Sequence, residues 1–231
     1  MRLMTYNIRL GLDSSLERIA EVITELSPDL VCLQEVGRFW TMGEPVDMRS
    51  VLMEITRSPF GFFIPALQQG RAQYGITILS RYPIQIVARI PLPRRVDEPR
   101  VMAQCDVRAQ GQSMTVLTSH VSVCPEDRAV QLSMLTEHLK TSLPDGHPAI
   151  FAGDLNATFE EPELGSLMQE LNLRSALMEA LGERPNTFPS KSPSSEIDWI
   201  LVNDRLKVAN AGVSSLSGSD HLAVWADVEV N

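Results

Sequence analysis

Short apolar segments recur along this 231-residue chain, and turn-forming residues separate them at short intervals. Segments of this kind are typical of β-strands, because a purely helical chain would need longer amphipathic stretches. In the middle of the chain the segments follow each other closely, which predicts that these strands are partly antiparallel. We predict strands at residues 2–8, 29–36, 62–66, 75–80, 84–90, 101–108, 113–121, 149–153, 196–202, 206–213 and 223–230.

Amphipathic segments separate several of these strands. In residues 14–26, Leu16, Ile19 and Ile23 recur at helical spacing, and Ser14 is a suitable N-cap. Such a strand-rich, mixed pattern is expected to form two packed sheets with helices on the outside. Further helices are predicted at residues 48–57, 126–143 and 164–171.

The composition excludes several classes of protein. Hydrophobic residues make up 44% of the chain and charged residues 21%, which excludes a disordered or a collagen-like protein. The 29 acidic and 20 basic residues give a net charge of −9, which argues against an architectural DNA-binding protein because DNA repels an acidic surface. An enzyme that holds metal ions among carboxylates remains compatible with this charge.

The sequence contains no signal-peptide pattern and no apolar run near the roughly 18 residues that a transmembrane helix needs. Cys32, Cys105 and Cys124 have neither disulfide-framework nor zinc-site spacing. There is also no internal repeat and no linker. We therefore expect residues 1–231 to form a single domain of a cytoplasmic protein, a monomer without stable membrane association.

Polar side chains interrupt the apolar segments, most often where a predicted strand ends. Ligand sites of sheet proteins gather at strand ends, where loops meet a rigid frame. Taken singly, each of these residues has an ordinary explanation as a turn, a cap or a satisfied core residue, but together they favour a functional site. They are Asn7, Gln34, Glu35, His120, Asp154, Asn156, Asp198, Asp220 and His221.

The spacing of these residues indicates which of them act together. Asp154 and Asn156 are two residues apart, so in an extended chain they would face one side and share a phosphate or an attacking water. Asp198 lies within an apolar strand and needs a partner, because an unpaired buried carboxylate is costly. A histidine would suit it, since the carboxylate would fix the imidazole tautomer and raise its basicity. Arg205 is the alternative partner.

The ordered motifs of the chain resemble those of the endonuclease/exonuclease/phosphatase superfamily, which has the deoxyribonuclease-I-like fold. These motifs are TYNIR, LQEV, ILSRYPI, TSHV, AGDLNA, EIDWILV and GSDHLAV, and the resemblance spans Leu3 to Val230. Each motif alone is weak, whereas the ordered set ending in SDH is specific. The resemblance implies a four-layered α/β sandwich of two packed mixed β-sheets flanked by helices. It also implies cleavage of phosphate esters with Mg²⁺ or Mn²⁺.

The resemblance implies a metal site. Glu35 matches the principal metal ligand of the family, Asn7 lies beside it, and Asp220 matches an additional acid of the metal site. Mg²⁺ binds one or two carboxylates and keeps several waters, so these residues would suit it. The ion would polarise a phosphoryl oxygen.

The resemblance also implies the catalytic residues. His221 matches the catalytic histidine, and Asp198 matches its carboxylate partner. Asp154 and Asn156 match the pair that orients the attacking water and the phosphate. Catalysis at a phosphodiester is mainly positioning and charge stabilisation, which such a set would provide.

Three further residues are expected to contact the substrate together with Asn156. His120 matches a position whose side chain donates to a phosphate oxygen, and Arg100 lies where family members often have a basic residue. Arg9 replaces an acid that some members carry, which suits phosphate binding better than metal binding. The comparable upstream strand has no acid to pair with the first histidine, so we expect His120 to be a hydrogen-bond donor rather than a general acid.

We therefore predict a metal-dependent phosphodiesterase or nuclease that prefers small or single-stranded substrates. A phosphomonoesterase or a lipid-headgroup phosphodiesterase of the same fold is the alternative, and a non-catalytic binding module is a more distant one. A lipid-active enzyme would need an exposed apolar hairpin. Residues 60–65, FGFFIP, are the candidate for it, and we interpret them instead as a core strand.

Overall fold

The computed structural model describes residues 1–109 and 111–231, in which strands and helices follow each other along the chain. The strands are β1 Arg2–Asn7, β2 Leu30–Arg38, β3 Phe60–Gln69, β4 Ala72–Ser80, β5 Ile84–Pro91, β6 Val101–Ala109, β7 Gln112–His120, β8 Ala149–Asp154, β9 Arg174–Ser175, β10 Asp198–Val202, β11 Leu206–Val213 and β12 Val224–Val230. The helices are α1 Leu16–Leu26, α2 Met48–Thr56, α3 Pro125–Ser142, α4 Pro162–Glu170 and α5 Ala176–Leu181, with a 3-10 turn at Arg9–Gly11.

The strands form two six-stranded mixed sheets. The first has the order β11-β12-β1-β2-β4-β3, and the second has the order β5-β6-β7-β8-β10-β9. Each sheet contains one parallel pair, β1 with β2 and β7 with β8, and its other neighbours are antiparallel. The carboxyl ends of a parallel pair lie at the same edge of its sheet, so each sheet offers one such edge for a site.

Three apolar layers hold the sheets and helices together. Residues such as Leu3, Cys32, Ile150 and Ile200 fill the space between the two sheets. Alternate residues of the first sheet pack against α1 and α2, and those of the second sheet pack against α3 and α4. Because side chains alternate between the two faces of a strand, each sheet buries both faces. This arrangement confirms the predicted four-layered sandwich of two mixed sheets flanked by helices.

The structure differs from the predicted elements mainly at short segments. Helix α1 begins at Leu16 and is capped by Ser15, whose hydroxyl accepts a hydrogen bond from the backbone N–H of Arg18. The predicted cap, Ser14, instead donates its hydroxyl to the carbonyl of Gly218. Strand β9 and helix α5 were not predicted, because two and six residues are too few to show a periodic pattern.

The segment FGFFIP lies in β3, where Phe63 and Ile64 are buried. It is therefore part of the core, as predicted, and forms no exposed apolar hairpin. Within residues 1–109 and 111–231, no helix is both long and apolar enough to span a lipid bilayer.

Candidate active site

Five polar side chains lie close together at one end of the two packed sheets. Asn7 ends β1, His120 ends β7 and Asp154 ends β8, so three of them stand at the carboxyl ends of the parallel pairs. Asp198 begins β10 directly opposite Asp154 in the antiparallel pairing of β8 and β10. Glu35 lies in β2, between Leu33 and Val36, where the register against β4 shifts. The sheet topology therefore gathers residues from distant parts of the sequence.

Asn7 bridges the acids of the two sheets. Its Nδ2 donates to Oε1 of Glu35 and to Oδ2 of Asp154, with both distances at 3.0 Å. Its Oδ1 accepts from the backbone N–H of Arg9 at 3.0 Å. Asn7 thus turns its NH₂ group, and not its oxygen, toward the acids.

The backbone of Glu35 has a φ of 52°, in the left-handed region that non-glycine residues rarely occupy. The register shift at this point is a β-bulge, which changes the direction of a side chain relative to the regular alternation. The neighbouring Gln34 is buried and bonds to Thr5. The bulge therefore lets the half-buried Glu35 reach the site.

His221 and Asp198 form a buried pair. Nδ1 of His221 lies 2.9 Å from Oδ2 of Asp198, and the same oxygen accepts from the Thr187 hydroxyl at 2.6 Å. The ring of Phe188 packs on the imidazole, with 4.8 Å between centroids. Nε2 of His221 is left facing Asp154, 3.8 Å from its Oδ2. The contact between Nδ1 of His221 and Asp198 makes a histidine the partner of this buried acid. Arg205 was the alternative partner that the sequence allowed.

Burial disfavours the charged form of His221, but the carboxylate of Asp198 outweighs burial and raises the pKa of His221 to about 10. Burial and the nearby charge of Asp198 raise the pKa of Asp154 to about 7. Burial also raises the pKa of Glu35, although the Asn7 amide favours its charged form. The carboxyl groups of the site are thus short of compensating positive charge.

His120 has a different partner. Its Nδ1 lies 2.6 Å from a guanidinium nitrogen of Arg100. The guanidinium group of Arg100 also forms ion pairs with Asp97 at 3.3 Å and with Glu98 at 3.2 Å. An arginine can only donate, so Nδ1 must accept and the proton of the neutral ring must be on Nε2. Nε2 lies 3.4 Å from Oδ2 of Asp154. The geometry therefore makes the site-facing nitrogen of His120 a donor.

Burial, together with the positive charge of Arg100, holds the pKa of His120 well below its ordinary value. Asn156 lies beside this histidine, with Nδ2 3.2 Å from Nε2, and donates to the carbonyl of Val121 at 3.0 Å. Its backbone N–H donates to Asp154 at 3.0 Å, and its φ is 47°. Asp154 and Asn156 therefore meet through a tight turn and not through the extended chain that we expected.

Arg9 and Asp220 lie at the outer side of the site. Nε of Arg9 is 3.4 Å from Oδ2 of Asp220, and NH1 of Arg9 is 3.2 Å from Asp13. Almost half of the Arg9 side chain is exposed, at 45%. Asp220 is therefore placed against Arg9, whereas Asn7 and Glu35 contact each other on the Asp154 side.

The residues present fit a divalent cation. Asp154, Asp198 and His221 place ligand atoms within 4.8 Å of one another, but the raised pKa of His221 beside Asp198 keeps that ring protonated, so the carboxylates and not the histidine are the groups that fit a cation. Glu35 is joined to Asp154 through Asn7 and has a raised pKa because of burial. A hard cation such as Mg²⁺ binds carboxylate oxygens whose negative charge is not balanced by a nearby positive group.

Sequence reasoning missed three residues that contact the site. The Tyr74 hydroxyl donates to Glu98 at 2.9 Å, beside Arg100, and Thr187 and Phe188 hold the Asp198–His221 pair. Thr187 and Phe188 belong to a Pro- and Ser-rich stretch that reads as an ordinary surface loop. Tyr74 ends no apolar run, so the pattern that found the other residues could not find it.

A sequence model of the Endonuclease/Exonuclease/phosphatase family matches residues 4–221 of the chain. The chain belongs to this family. It is also 26% identical to the Escherichia coli (strain K12) protein YbhP over 99% of this chain and 96% of that protein.

Solved structures share the fold at low identity. An endonuclease/exonuclease/phosphatase from Beutenbergia cavernae has a TM-score of 0.83 and 23% identity, with coverage of 100% of this chain and 72% of that chain. The Bacteroides thetaiotaomicron mannosyl-6-phosphatase Bt3783 has a TM-score of 0.77 and 17% identity, covering 99% of both chains. D. rerio TDP2, complexed with a single-strand DNA product, has a TM-score of 0.76 and 18% identity, covering 100% of this chain and 99% of that chain.

Proposed function

We propose that this chain is a phosphodiesterase or nuclease that requires Mg²⁺ or Mn²⁺ and acts as a monomer of one domain over residues 1–231. One observation carries the proposal. Oδ2 of Asp154 has Asn7 at 3.0 Å, Nε2 of His120 at 3.4 Å and Nε2 of His221 at 3.8 Å, with Glu35 on the far side of Asn7. A carboxylate between two histidines and a second acid suits the activation of water next to a phosphate.

Glu35 would hold the metal ion, with Asn7 beside it. Asp220 would contribute only by exchanging its contact with Arg9 for the ion, because the two side chains are paired at 3.4 Å. When bound, the ion would polarise a phosphoryl oxygen. Asn7 keeps Glu35 and Asp154 at a fixed separation, which prepares the acids for the ion.

His221 would balance the charge that develops on the reacting phosphate. Its Nδ1 is held by Asp198, so Nε2 is the nitrogen available to the substrate or to water. With its pKa raised to about 10, because Asp198 outweighs burial, the ring carries a proton at neutral pH. A preorganised cation in a buried site stabilises developing negative charge more than it would in water.

The opposite side of the site would bind the phosphate. His120 offers a neutral Nε2–H donor because Arg100 occupies its other nitrogen. Asn156 lies next to it, and Asp154 and Asn156 would orient the attacking water. Arg9, which is exposed at the outer side, would contact a phosphate that enters from solvent.

We propose small or single-stranded phosphodiesters as substrates. Non-specific affinity for duplex DNA comes mostly from the neutralisation of phosphates by basic residues, and this chain has a net charge of −9. A shallow cleft beside the site is lined by Arg9 and Lys191 but also by Asp13 and Asp220. Rates on plasmid DNA should therefore be low and should fall steeply between low and physiological salt.

The test is a substrate panel with purified protein and Mg²⁺ or Mn²⁺: bis-p-nitrophenyl phosphate, p-nitrophenyl phosphate, short single strands, plasmid DNA, RNA and sphingomyelin. We expect cleavage of diesters that excess chelator abolishes. Glu35→Gln should nearly abolish it without unfolding the protein, while Glu54→Gln on the exposed face of α2 serves as the matched control. Full activity in excess chelator would contradict the proposal.

The same panel separates the alternatives. Preference for p-nitrophenyl phosphate would indicate a phosphomonoesterase. The similarity to the mannosyl-6-phosphatase is the reason to include this alternative. Cleavage of sphingomyelin would indicate a lipid-headgroup enzyme, although Phe63 and Ile64 of the candidate membrane segment are buried. No hydrolysis of any substrate with either metal would favour a binding module.

A further inference from the structure

A large cavity of the described residues shares no lining residue with the acidic site. It measures about 1010 Å³ and is bounded by α4, β9, α5 and the segments 158–160 and 182–196. Apolar side chains form much of its wall, and they are Phe159, Met168, Leu173 and Met178. Its size is that of a pocket for a small organic group. We call this cavity the side cleft.

Two charged side chains of the side cleft have unused hydrogen-bonding atoms. Glu196 is only 6% exposed, and its Oε1 is buried without a hydrogen-bond partner. Its Oε2 lies 3.6 Å from Nε of Arg184, whose NH1 is likewise buried without a partner. Each residue of the pair therefore has one buried polar atom without a hydrogen-bond partner.

The free acceptor of Glu196 is costly as it stands. Burial raises the pKa of Glu196 to about 7, although Arg184 acts in the opposite direction. A buried polar group without a partner loses the free energy of its hydration. A ligand that brings an N–H group to Glu196 would supply the missing hydrogen bond.

The side cleft also has a surface for a flat group. The guanidinium of Arg184 lies over the ring of Phe159, 3.9 Å from its centroid. Phe159 is 48% exposed, which is unusual for a residue that lines an otherwise apolar wall. Aromatic rings and arginine planes are the surfaces on which nucleobases stack in single-stranded nucleic acids.

The charges of the side cleft favour a neutral ligand. Arg174 is paired with Glu179 at 2.8 Å, and Arg184 is paired with Glu196. Glu160 and Glu183 add two more carboxylates to the lining. A second phosphate would be repelled, whereas an uncharged ring would not.

The side cleft adjoins the catalytic residues along the chain. Glu196 precedes Asp198 by two residues, and Thr158 follows Asn156 by two residues. Two residues of extended chain span at most about 7 Å. The part of the wall formed by Thr158 and Glu196 is therefore close to the catalytic residues.

We propose that the side cleft binds the nucleobase of a nucleotide-containing substrate, with the base stacking on the guanidinium of Arg184 where it lies over Phe159 and the base edge donating to Glu196. Every base offers a donor on one edge, so this arrangement selects for a base without selecting one base strictly. The inference rests on the proposed phosphodiesterase function, because the base belongs to the nucleoside that is attached to the phosphate at the acidic site.

The test is the binding of neutral nucleosides to the metal-free protein by titration calorimetry. Adenosine, cytidine, guanosine and uridine carry no phosphate, so their binding does not depend on the acidic site, and mannose serves as the sugar probe. We expect nucleosides to bind and mannose not to bind. Phe159→Ala and Glu196→Leu should each weaken nucleoside binding roughly tenfold, the size of one lost stacking or hydrogen-bonding contact.

Glu137→Leu, on the exposed face of α3 and outside the side cleft, is the control and should leave binding unchanged. Phe159→Ala keeps the test valid if Glu196→Leu unfolds the protein, since Phe159 is largely exposed. Absence of nucleoside binding, equal binding of mannose, or binding that both variants leave intact would overturn the proposal.

The two proposals fail separately. Hydrolysis of phosphodiesters without nucleoside binding would overturn the side cleft assignment and leave the phosphodiesterase standing. Nucleoside binding that Phe159→Ala weakens, in a protein that hydrolyses no phosphodiester, would support the cleft as a base site and overturn the proposed reaction.

Discussion

His221 and His120 lie on opposite sides of Asp154 and are equally buried, each 5% exposed. Their partners differ: a carboxylate holds Nδ1 of His221, and a guanidinium holds Nδ1 of His120. Burial disfavours the charged form of both rings. The carboxylate of Asp198 overcomes burial and raises the pKa of His221 to about 10, while Arg100 acts with burial and keeps the pKa of His120 well below its ordinary value.

The difference shows that the partner of a buried histidine, more than its depth, sets its protonation state. One ring is a cation and the other is a neutral donor, although both point a nitrogen at the same carboxylate oxygen. Pairs of titratable groups whose surroundings drive their pKa values apart are typical of catalytic sites. The comparison leads to four predictions.

The largest effect is expected on the His221 side. His221→Ala should lower the rate of diester hydrolysis by a factor on the order of 10²–10⁴, because it removes the charged group at the reacting phosphate. Residues that act as a unit are not additive, so Asp198→Asn combined with His221→Ala should be about as slow as His221→Ala alone. Initial rates of the two single variants and the double variant measure this. Losses that multiply would show that the two residues act independently.

A smaller effect is expected on the His120 side. Arg100→Met removes a charged hydrogen bond, worth about 1.5–3 kcal/mol, so the rate should fall roughly ten- to a hundredfold. It should also raise the pKa of His120, since the positive charge beside the ring is lost. Titration of the His120 ring by NMR, in chelator, checks the second outcome.

Arg100→Lys separates the charge of Arg100 from its geometry, because it keeps a cation beside His120. If the pKa of His120 stays depressed in Arg100→Lys and rises in Arg100→Met, charge is the cause. If neither variant changes it, burial and the charge of His221 account for the neutral ring without Arg100, and the contrast between the partners of the two histidines fails.

The two histidines should also give opposite pH dependence of stability in the metal-free protein. The folded pKa of His221 is raised to about 10 by Asp198 against burial, so its stabilisation is complete below the unfolded pKa of about 6.5 and is lost as pH rises toward 10. The folded pKa of His120 is lowered, so the unfolded chain binds a proton that the folded chain does not, and stability falls as pH drops below about 6.5.

Free energies of unfolding from pH 5 to 10, in chelator, measure both effects as differences from His221→Gln and His120→Gln. The stabilisation of wild type relative to His221→Gln should shrink above pH 6.5, and that relative to His120→Gln should shrink below it. Equal slopes for the two differences would remove the contrast between the two sides.

The sequence could predict the layers because these depend on local apolar patterns, and the polar residues at predicted strand ends include several that the structure places in contact. Apolar alternation located the strands, and the ordered motifs pointed to residues such as Asn7, Glu35 and His221, which the structure brings together. The contact between Arg100 and His120 could not be predicted in the same way. It depends on the register of β6 against β7, which pairs Met102 with Ser119 and so brings the residue before β6 to the end of β7.

Sequence reasoning failed for different reasons elsewhere. The place of Asp220 in GSDHLAV predicts a role at the metal site, which stays a prediction, but nothing in the sequence indicated its contact with Arg9 at 3.4 Å. Thr187 and Glu196 lie before the observed start of β10, and nothing in the sequence marks one as a support of Asp198 and the other as a buried acid with one oxygen lacking a hydrogen bond. Long-range contacts of loop residues need the folded chain.

The smallest effects concern one hydroxyl on each side of the site. Thr187 donates to Asp198 at 2.6 Å on the His221 side, and Ser122 donates to Asp97, the partner of Arg100, at 2.6 Å on the His120 side. Each hydroxyl donates to a carboxylate, and a hydrogen bond to a charged group is worth about 1.5–3 kcal/mol, so Thr187→Val and Ser122→Ala should each lower the free energy of unfolding by about this amount. Urea unfolding measures both.

Their effects on activity should differ, because Thr187 holds the acid that charges His221, whereas Ser122 reaches His120 only through both Asp97 and Arg100. Thr187→Val frees one lone pair of Asp198 and loosens its alignment, so we expect a several-fold lower rate and an altered pH–rate profile. Ser122→Ala should leave the pH–rate profile unchanged. If the pH–rate profile shifted equally in both variants, the hydroxyl of Thr187 would have no specific role in keeping His221 charged.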